Sequence, residues 1–459
     1  MYKSKNIFEE GECYIMEDNI CQCEYCKNNK DFDMPEMIIK AINDNNLVIF
    51  AGAGVSTESK TVYKSTLYEQ ILDELSLNSD DNLTFSELMS RYCKKYGKNK
   101  LLQKIKQRID YVYSFPELYR EASKFHRELS TIYQISEIIT TNWDDLFERE
   151  CGAIPFVSSE DFVFWNTPGR KVLKIHGSIN NYGSIVATKE DYNKCYTSLN
   201  TGILGSCLKM LLATKTILFI GYSLNDEDFN KIYDFLRKEM GDLIPRSYIV
   251  TIDKESEQKL KKIGLYPIFT DATYFLISLK KHLINENLLM DDKYFDDIYY
   301  QLQKVKYEHN KLCDRFNFKS NPETMYCSSY QDGFIHALER ILIMKKTGEY
   351  SNVKNVIKVI DSYADLAKQK LDKGIYVDVA YIHGYIAGLT YLISDKVERE
   401  GISVYYIYGL DKEIRNIDEY SQLNNYTKEN CEKAYNFALN IVNKLDENSN
   451  LELHHTPFL

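Results

Sequence analysis

Asn46 to Ser59 reads NLVIFAGAGVSTES, a run in which apolar residues give way abruptly to glycines and hydroxyls. Leu47 to Phe50 have strand character, and Gly52 and Gly54 break the run before the polar pair Ser56 and Thr57. Glycines at a strand end let the backbone approach a ligand closely, and a helix starting at Ser56 or Thr57 would aim unpaired N–H groups at a phosphate. The chemistry this suits is the cradling of a nucleotide. The motif is G-x-G-x-x-T, with no third glycine and no acidic residue ending a second strand about twenty positions on, so an ordinary strand-to-helix turn is an equal reading of these residues alone. Three later clusters have the same form. Glu137 to Thr141 reads as a strand and runs into Asn142, Trp143, Asp144 and Asp145. Val172 to Ile175 runs into His176, Gly177 and Ser178, and Thr216 to Ile220 into Gly221, Tyr222, Ser223, Leu224, Asn225 and Asp226. Taken singly, a histidine after a strand is most simply a turn residue, and Asn-x-Asp before a helix a cap. A fifth cluster, Cys13, Cys21, Cys23 and Cys26, could offer four thiolates to a structural zinc, or be reduced, packed or redox-sensitive thiols. It lacks the paired C-x2-C knuckles that distinguish the two.

Strand ends that act together need a scaffold that lines them up. The segments between these apolar runs are long enough to be crossovers, which predicts a parallel sheet and an α/β fold, with the ligand at the strands' carboxyl ends. Met37, Ile38 and Ala41, after Pro35, predict a short helix ahead of the first strand. From Tyr63 to about Arg127 the pattern is helical, with Tyr68, Ile71, Leu72 and Leu75 on one face, and predicts an insertion capping the sheet. Past Gly221, a helix carries Phe229, Ile232, Tyr233, Leu236 and Met240 on one face and Asp226, Glu227 and Asp228 in its first turn. That acidity argues against phosphate there and suits ribose hydroxyls or adenine, although N-capping by Asn225 or Asp226 is the simpler local role. Tyr248 to Ile252 and Pro267 to Phe269 extend the sheet.

Four signatures thus stand in one order: Gly52-Ala53-Gly54-Val55-Ser56, Thr140-Thr141-Asn142-Trp143-Asp144, His176-Gly177, and Gly221-Tyr222-Ser223-Leu224. In this the sequence resembles the SIR2 (sirtuin) family, whose core carries GAG then Ile or Val then Ser, T-Q-N-x-D, H-G, and Gly-Thr/Ser-Ser-Leu in that order, over roughly Asn46 to Ser278. The resemblance implies a Rossmann-like parallel sheet that binds NAD. It implies that Ala51, Gly52, Ala53, Gly54, Val55 and Ser56 wrap the pyrophosphate, that Gly221, Tyr222 and Ser223 contact the adenosine side, and that Thr141 and Asn225 also bind the cofactor. It further implies that Asn142 holds the nicotinamide ribose and the attacking group, Asp144 the carboxamide, and that His176 is the general base. Each role suits the cleavage of an N-glycosidic bond through an oxocarbenium-like centre, which needs an oriented leaving group and a base of near-neutral pKa.

The departures redirect the expected activity. Where protein-deacylating sirtuins carry G-I-P-D-F-R, this chain has Thr57-Glu58-Ser59-Lys60-Thr61-Val62-Tyr63, and between Gly177 and Gly221 it has only Cys195 and Cys207 in place of two C-x2-C zinc pairs. Thr141 stands where the family has Gln, and the G-Y-S-L-N-D-x-D-F run is similar to bacterial SIR2-like proteins that hydrolyse NAD in defence against phages. The expectation is an NAD glycohydrolase releasing nicotinamide and ADP-ribose, an antiphage effector whose partners are NAD, a phage-derived or protein activator, and further copies of itself. The alternatives are a NAD-dependent protein deacylase and a non-enzymatic NAD or ADP-ribose sensor.

Composition bounds the remainder. The chain has 459 residues, 44% of them hydrophobic, enough for about three domains with real cores. Its net charge of −10 argues against a general nucleic-acid surface. Eleven cysteines with no leader pattern, and no apolar run near the ~18 residues of a membrane span, predict a cytoplasmic protein without a disulfide framework or membrane contact. Residues 1–290, with a Cys-rich segment at 1–35, are expected to form the NAD-binding domain. Residues 291–459 are expected to be an all-α domain that regulates or assembles it. In the latter, Phe334, Ala337, Leu338, Ile341 and Leu342 share a helix face, as do Val353, Val356, Ile357, Ile360, Ala364 and Ala367, and Ala434, Phe437, Ala438, Ile441, Val442 and Leu445. His336 and His383 fall in this packing context, which makes them poor catalytic candidates.

Overall fold

The computed structural model describes residues 26–57, 59, 62–77, 83–221, 234, 237–238, 240–241 and 244–444. Cys13, Cys21, Cys23, Tyr222, Ser223 and Asn225 lie outside these residues, as does most of the helix face expected at Phe229 to Met240. The chain divides into two compact units, one ending at His282 and the other beginning at Leu283.

The first unit is built on seven strands: β1 (Leu47–Ala51), β2 (Glu137–Thr140), β3 (Ile154–Phe156), β4 (Lys171–Lys174), β5 (Thr216–Ile220), β6 (Ser247–Thr251) and β7 (Leu265–Phe269). They form one parallel sheet in the order β3-β4-β2-β1-β5-β6-β7. A parallel sheet must be covered on both faces, and the central strands accordingly read as continuous apolar runs. Val48 and Phe50 pack with Ile139, Leu173, Ile217 and Phe219 against Leu204, Leu208, Leu211 and Leu212 of the helix Ile203–Thr214. Leu47, Ile49 and Ala51 point to the opposite face by the two-residue period of a strand. From β1 the chain fills one side of the sheet with β2, β3 and β4, then crosses to the other side with β5. The strand order therefore reverses at β1, and the crevice beyond the carboxyl ends of β2, β1 and β5 is where such a sheet binds ligands.

Two features of the sheet are new relative to the sequence. β3 is a three-residue edge strand centred on Pro155, tolerated because an edge position needs no donor from its outer side. Arg170, just ahead of β4, is buried and donates to the carbonyls of Ile135 and Ile132, both at 2.8 Å, and to those of Ser130, Cys151 and Leu129 at 3.2–3.4 Å. It satisfies the open carbonyls where the helix Pro116–Ser130 ends.

The insertion between β1 and β2 comprises the helices Leu67–Leu75, Phe85–Tyr96, Lys98–Ser114 and Pro116–Ser130, the first two started by capping boxes at Thr66/Glu69 and Thr84/Glu87. Ile71, Leu88, Met89, Ile105 and Ile109 form its core, which Ile179 and Ile185 from the segment after β4 complete, with Trp143 from the segment after β2 packed against it. The insertion therefore rests directly on the loops that follow β2 and β4.

In the second unit, the helices Thr324–Met344 and Tyr376–Ile393 cross at glycines. A Cβ on Gly333 would meet the Tyr381 carbonyl oxygen at 1.9 Å, and one on Gly384 the Tyr330 carbonyl oxygen at 1.8 Å. Phe334, Ala337, Leu338 and Ile341 are buried as expected. The Val353–Asp372 helix differs from the expectation: Val356 and Ala367 are buried, but Val353 and Ile357 are 42% and 44% exposed. Its apolar stripe is wider than the face its neighbours cover. Tyrosines fill much of this core, with their hydroxyls on fixed partners: Tyr326 to the Ala434 carbonyl at 2.7 Å, Tyr330 to the Ser403 carbonyl at 2.8 Å and Tyr405 to Glu308 at 2.6 Å. His336 and His383 face the Tyr381 and Tyr406 hydroxyls at 2.9 and 3.2 Å. Among the described residues, no helix is long and apolar enough to cross a membrane.

Candidate active site

The site is assembled where β1 meets β5. Gly52 N–H donates to the Ile220 carbonyl at 2.9 Å and Gly54 N–H to the Gly221 carbonyl at 3.0 Å, so the two strand-end loops are joined backbone to backbone. Gly221 has φ +60, and a Cβ there would fall 2.5 Å from Val55 Cγ1 and 2.7 Å from its amide nitrogen. Only glycine allows this approach. After Gly52 the chain makes a 3-10 turn over Ala53–Val55, and Ser56 is not helical (φ −139, ψ −127). The helix expected to begin at Ser56 or Thr57 is therefore not formed: the next described α-helix starts at Leu67, where Thr66 supplies its cap. Ser56 and Thr57 turn inward and are buried instead.

Asn142 and Asp144 meet that turned-in serine. Thr140 Oγ1 donates to the Ala51 carbonyl at 2.9 Å and accepts Asn142 N–H at 3.0 Å, which fixes the loop leaving β2 against β1; Thr141 N–H reaches the same carbonyl at 3.3 Å. Asn142, 3% exposed, donates from Nδ2 to the Gly52 carbonyl at 3.1 Å and to Ser56 Oγ at 3.2 Å. Its Oδ1 is buried with no hydrogen-bond partner among the described residues. A buried acceptor left open costs of the order of 1–3 kcal/mol. Ser56 Oγ in turn donates to Asp144 Oδ2 at 2.8 Å, while Asp144 Oδ1 accepts the Leu146 amide at 3.2 Å. Asp144 thus links the Ser56 hydroxyl to the first turn of the helix Leu146–Cys151, one carboxylate oxygen on each.

His176 joins from β4. Ile175 N–H donates to the Thr140 carbonyl at 3.0 Å, carrying the β2–β4 ladder one step past the strands, so that His176 and Asn142 leave the sheet side by side. His176 is 3% exposed, with its ring edge-on to Tyr192 at 5.0 Å. Gly177 follows at φ +85, where a Cβ would overlap the Ser184 carbonyl. Tyr192 carried no signal of its own, although the capping box at Thr188/Asp191 marks the start of its helix.

A second group lies against the same loop. Lys174, the last residue of β4, is buried and donates to the Asp144 backbone carbonyl, and its ammonium pairs with Glu148 at 3.0 Å. Burial raises the Glu148 carboxyl above the ordinary range, against the pull of Lys174. His126 is fully buried, edge-on to Phe147 at 4.4 Å, and burial lowers its pKa to about 4. Burial would raise Asp145, but hydrogen bonds from Arg149 at 2.8 Å and Tyr113 at 2.6 Å hold it below the usual value. Of these residues only Asp145 belongs to a cluster visible in the sequence.

The sheet therefore brings together Ala51, Gly52, Ala53, Gly54, Val55, Ser56, Thr141, Asn142, Asp144, His176 and Gly221. Among the described residues, no group of three or more His, Cys, Asp or Glu is placed to hold a metal. Of the N-terminal cysteines, only Cys26 falls within the described residues, at the start of a 3-10 turn.

Residues 136–268 match the family model of the SIR2-like domain, a span that includes Asn142, Asp144, His176 and Gly221. The chain is similar to the NAD(+) hydrolase ThsA of Cytobacillus dafuensis, 32% identical over 210 residues, which cover 44% of this chain and 40% of that protein. It is similar to the ThsA of Acinetobacter baumannii, 29% identical over 211 residues, covering 44% and 42%. Defense-associated sirtuin 2 of Bacillus subtilis is 26% identical over 229 residues, covering 47% and 22%. The chain thus spans about two fifths of the two hydrolases and about a fifth of the third relative. The family model and the three alignments each cover less than half of this chain.

Proposed function

We propose that this SIR2-like chain hydrolyses NAD to nicotinamide and ADP-ribose, as an effector that depletes NAD in defence against phages. The observation that carries the reading is Asn142: a buried amide at the sheet's switch point, with Nδ2 held by Gly52 and Ser56 and Oδ1 open, beside the close glycine contact that joins the β1 and β5 loops. The residues fit NAD by their chemistry. Gly52 to Ser56 offer a backbone cradle without a bulky wall, Asn142 offers an acceptor for a ribose hydroxyl, and Asp144 a carboxylate for the carboxamide. The names of the relatives point the same way, two of them being called NAD(+) hydrolases and one defense-associated.

On this reading Asn142 orients the nicotinamide ribose and the attacking water, and Asp144 fixes the leaving group. His176 takes the proton lost as water attacks, so that water and NAD become ADP-ribose, nicotinamide and a proton. His176 is almost excluded from solvent. NAD is the substrate in this scheme. The helical second unit would hold the activity in check until an activator is present, and assembly of several copies is the simplest way for it to do so.

The test is NAD loss, followed by nicotinamide release with and without an acyl-lysine peptide. Release that is independent of peptide supports hydrolysis. Release that requires peptide would replace it with deacylation.

A further inference from the structure

We propose that Lys174 is a positioning residue that sets the Asn142–Asp144 loop against His176; the inference rests on the NAD-cleaving reading of this site. A lysine ending a strand ordinarily extends into water, and taking an ammonium out of water costs several kcal/mol unless it is paired. Lys174 is nonetheless buried, with side-chain exposure of 0%, and its partners are two points on one loop-and-helix segment: the Asp144 carbonyl and Glu148.

The consequence is geometric. Turning the Asp144 peptide would strand the ammonium, and the same turn would carry away the Asp144 carboxylate that holds Ser56 and, through Ser56, the Asn142 amide. Lys174 also lies two residues before His176 on the same chain segment. One side chain thereby ties the strand that delivers the base to the loop that delivers Asn142 and Asp144. Trp143, between those two residues, packs against the core of the helical insertion. The loop is held between an apolar anchor and a charged one. A charged anchor is directional where an apolar one is not, and misplacement by about 1 Å can cost about a hundredfold in rate.

The experiment removes both charges at once, with Lys174→Met and Glu148→Gln together, so that no lone buried charge remains to unfold the protein. Nicotinamide release is measured per folded molecule, with the folded fraction taken from denaturation. The emission of Trp143 is read in a Trp165→Phe background, since the chain has two tryptophans. The expected result is a fall in kcat of about a hundredfold, with the larger part of the loss in kcat rather than KM, together with a shifted Trp143 emission. Turnover per folded molecule equal to the parent's would overturn the inference. If the parent itself neither cleaves nor binds NAD, the reading of the site fails, and the emission alone then decides: unmoved, it overturns the positioning role as well. Should the double variant not fold, Lys174→Met with Glu148→Leu, which fills the space with apolar atoms and again leaves no lone buried charge, is expected to show the same fall in kcat; unchanged kcat there would equally overturn the role.

Discussion

Both units of this chain bring backbones into contact through glycine, and they do so for different ends. In the first, Gly54 and Gly221 join two strand-end loops beside Ser56, Asn142 and Asp144, polar groups buried together with one acceptor left open. In the second, Gly333 and Gly384 let two helices cross closely, and the surroundings are Phe334, Tyr381 and Tyr385, with polar atoms such as the His336 ring matched to fixed partners. Close glycine packing by itself therefore says nothing about function. The two contacts differ in what surrounds them, polar side chains in the first and mostly aromatic ones in the second.

The comparison can be broken from either side. The largest effect is expected from Gly221→Val, which must place a branched side chain at φ +60 against Val55. NAD cleavage should fall at least about a hundredfold, with the helical unit's thermal transition unmoved. Gly384→Leu should do the opposite. Its side chain starts 1.8 Å from the Tyr330 carbonyl, and overpacking of this kind costs about 3 kcal/mol or more, read by urea denaturation as loss of the second unit.

The motifs were legible because they are local. A β-branched run ending in glycine or in Asn-x-Asp reports a strand's carboxyl end whatever surrounds it, and four such ends in order suffice to imply a parallel sheet. The residues the sequence did not reveal depend on distant partners. Lys174 and Arg170 belong to no motif, and only tertiary packing makes them buried staples. β3 is too short to show a period, and the turn after Gly54 folds inward because Ser56 finds Asp144, a partner 88 residues away. The Val353–Asp372 stripe failed differently: periodicity shows that a face is apolar, not that a neighbour covers it.

A third prediction concerns acid. The folded pKa of His126, about 4, lies below its unfolded value near 6.5, so the unfolded chain binds more protons between these limits. Stability of the first unit should therefore be complete above pH 6.5 and fall as pH drops toward 4, by as much as about 3 kcal/mol. Glu148, raised by burial, works in the opposite sense and trims the loss. Melting curves across this range should show the slope, and His126→Leu should flatten it. The smallest effect is expected from Ile357→Ala, which should change stability by no more than about 0.5 kcal/mol, since nearly half of that side chain is in water.

The most direct measurement is nicotinamide release from NAD by the full chain and by Asn142→Ala and His176→Ala, each first shown to melt like the parent. The account predicts release by the parent without any acyl-peptide and a loss of at least about a hundredfold in each variant. Full release by both variants would contradict it and would place the chemistry elsewhere in the molecule.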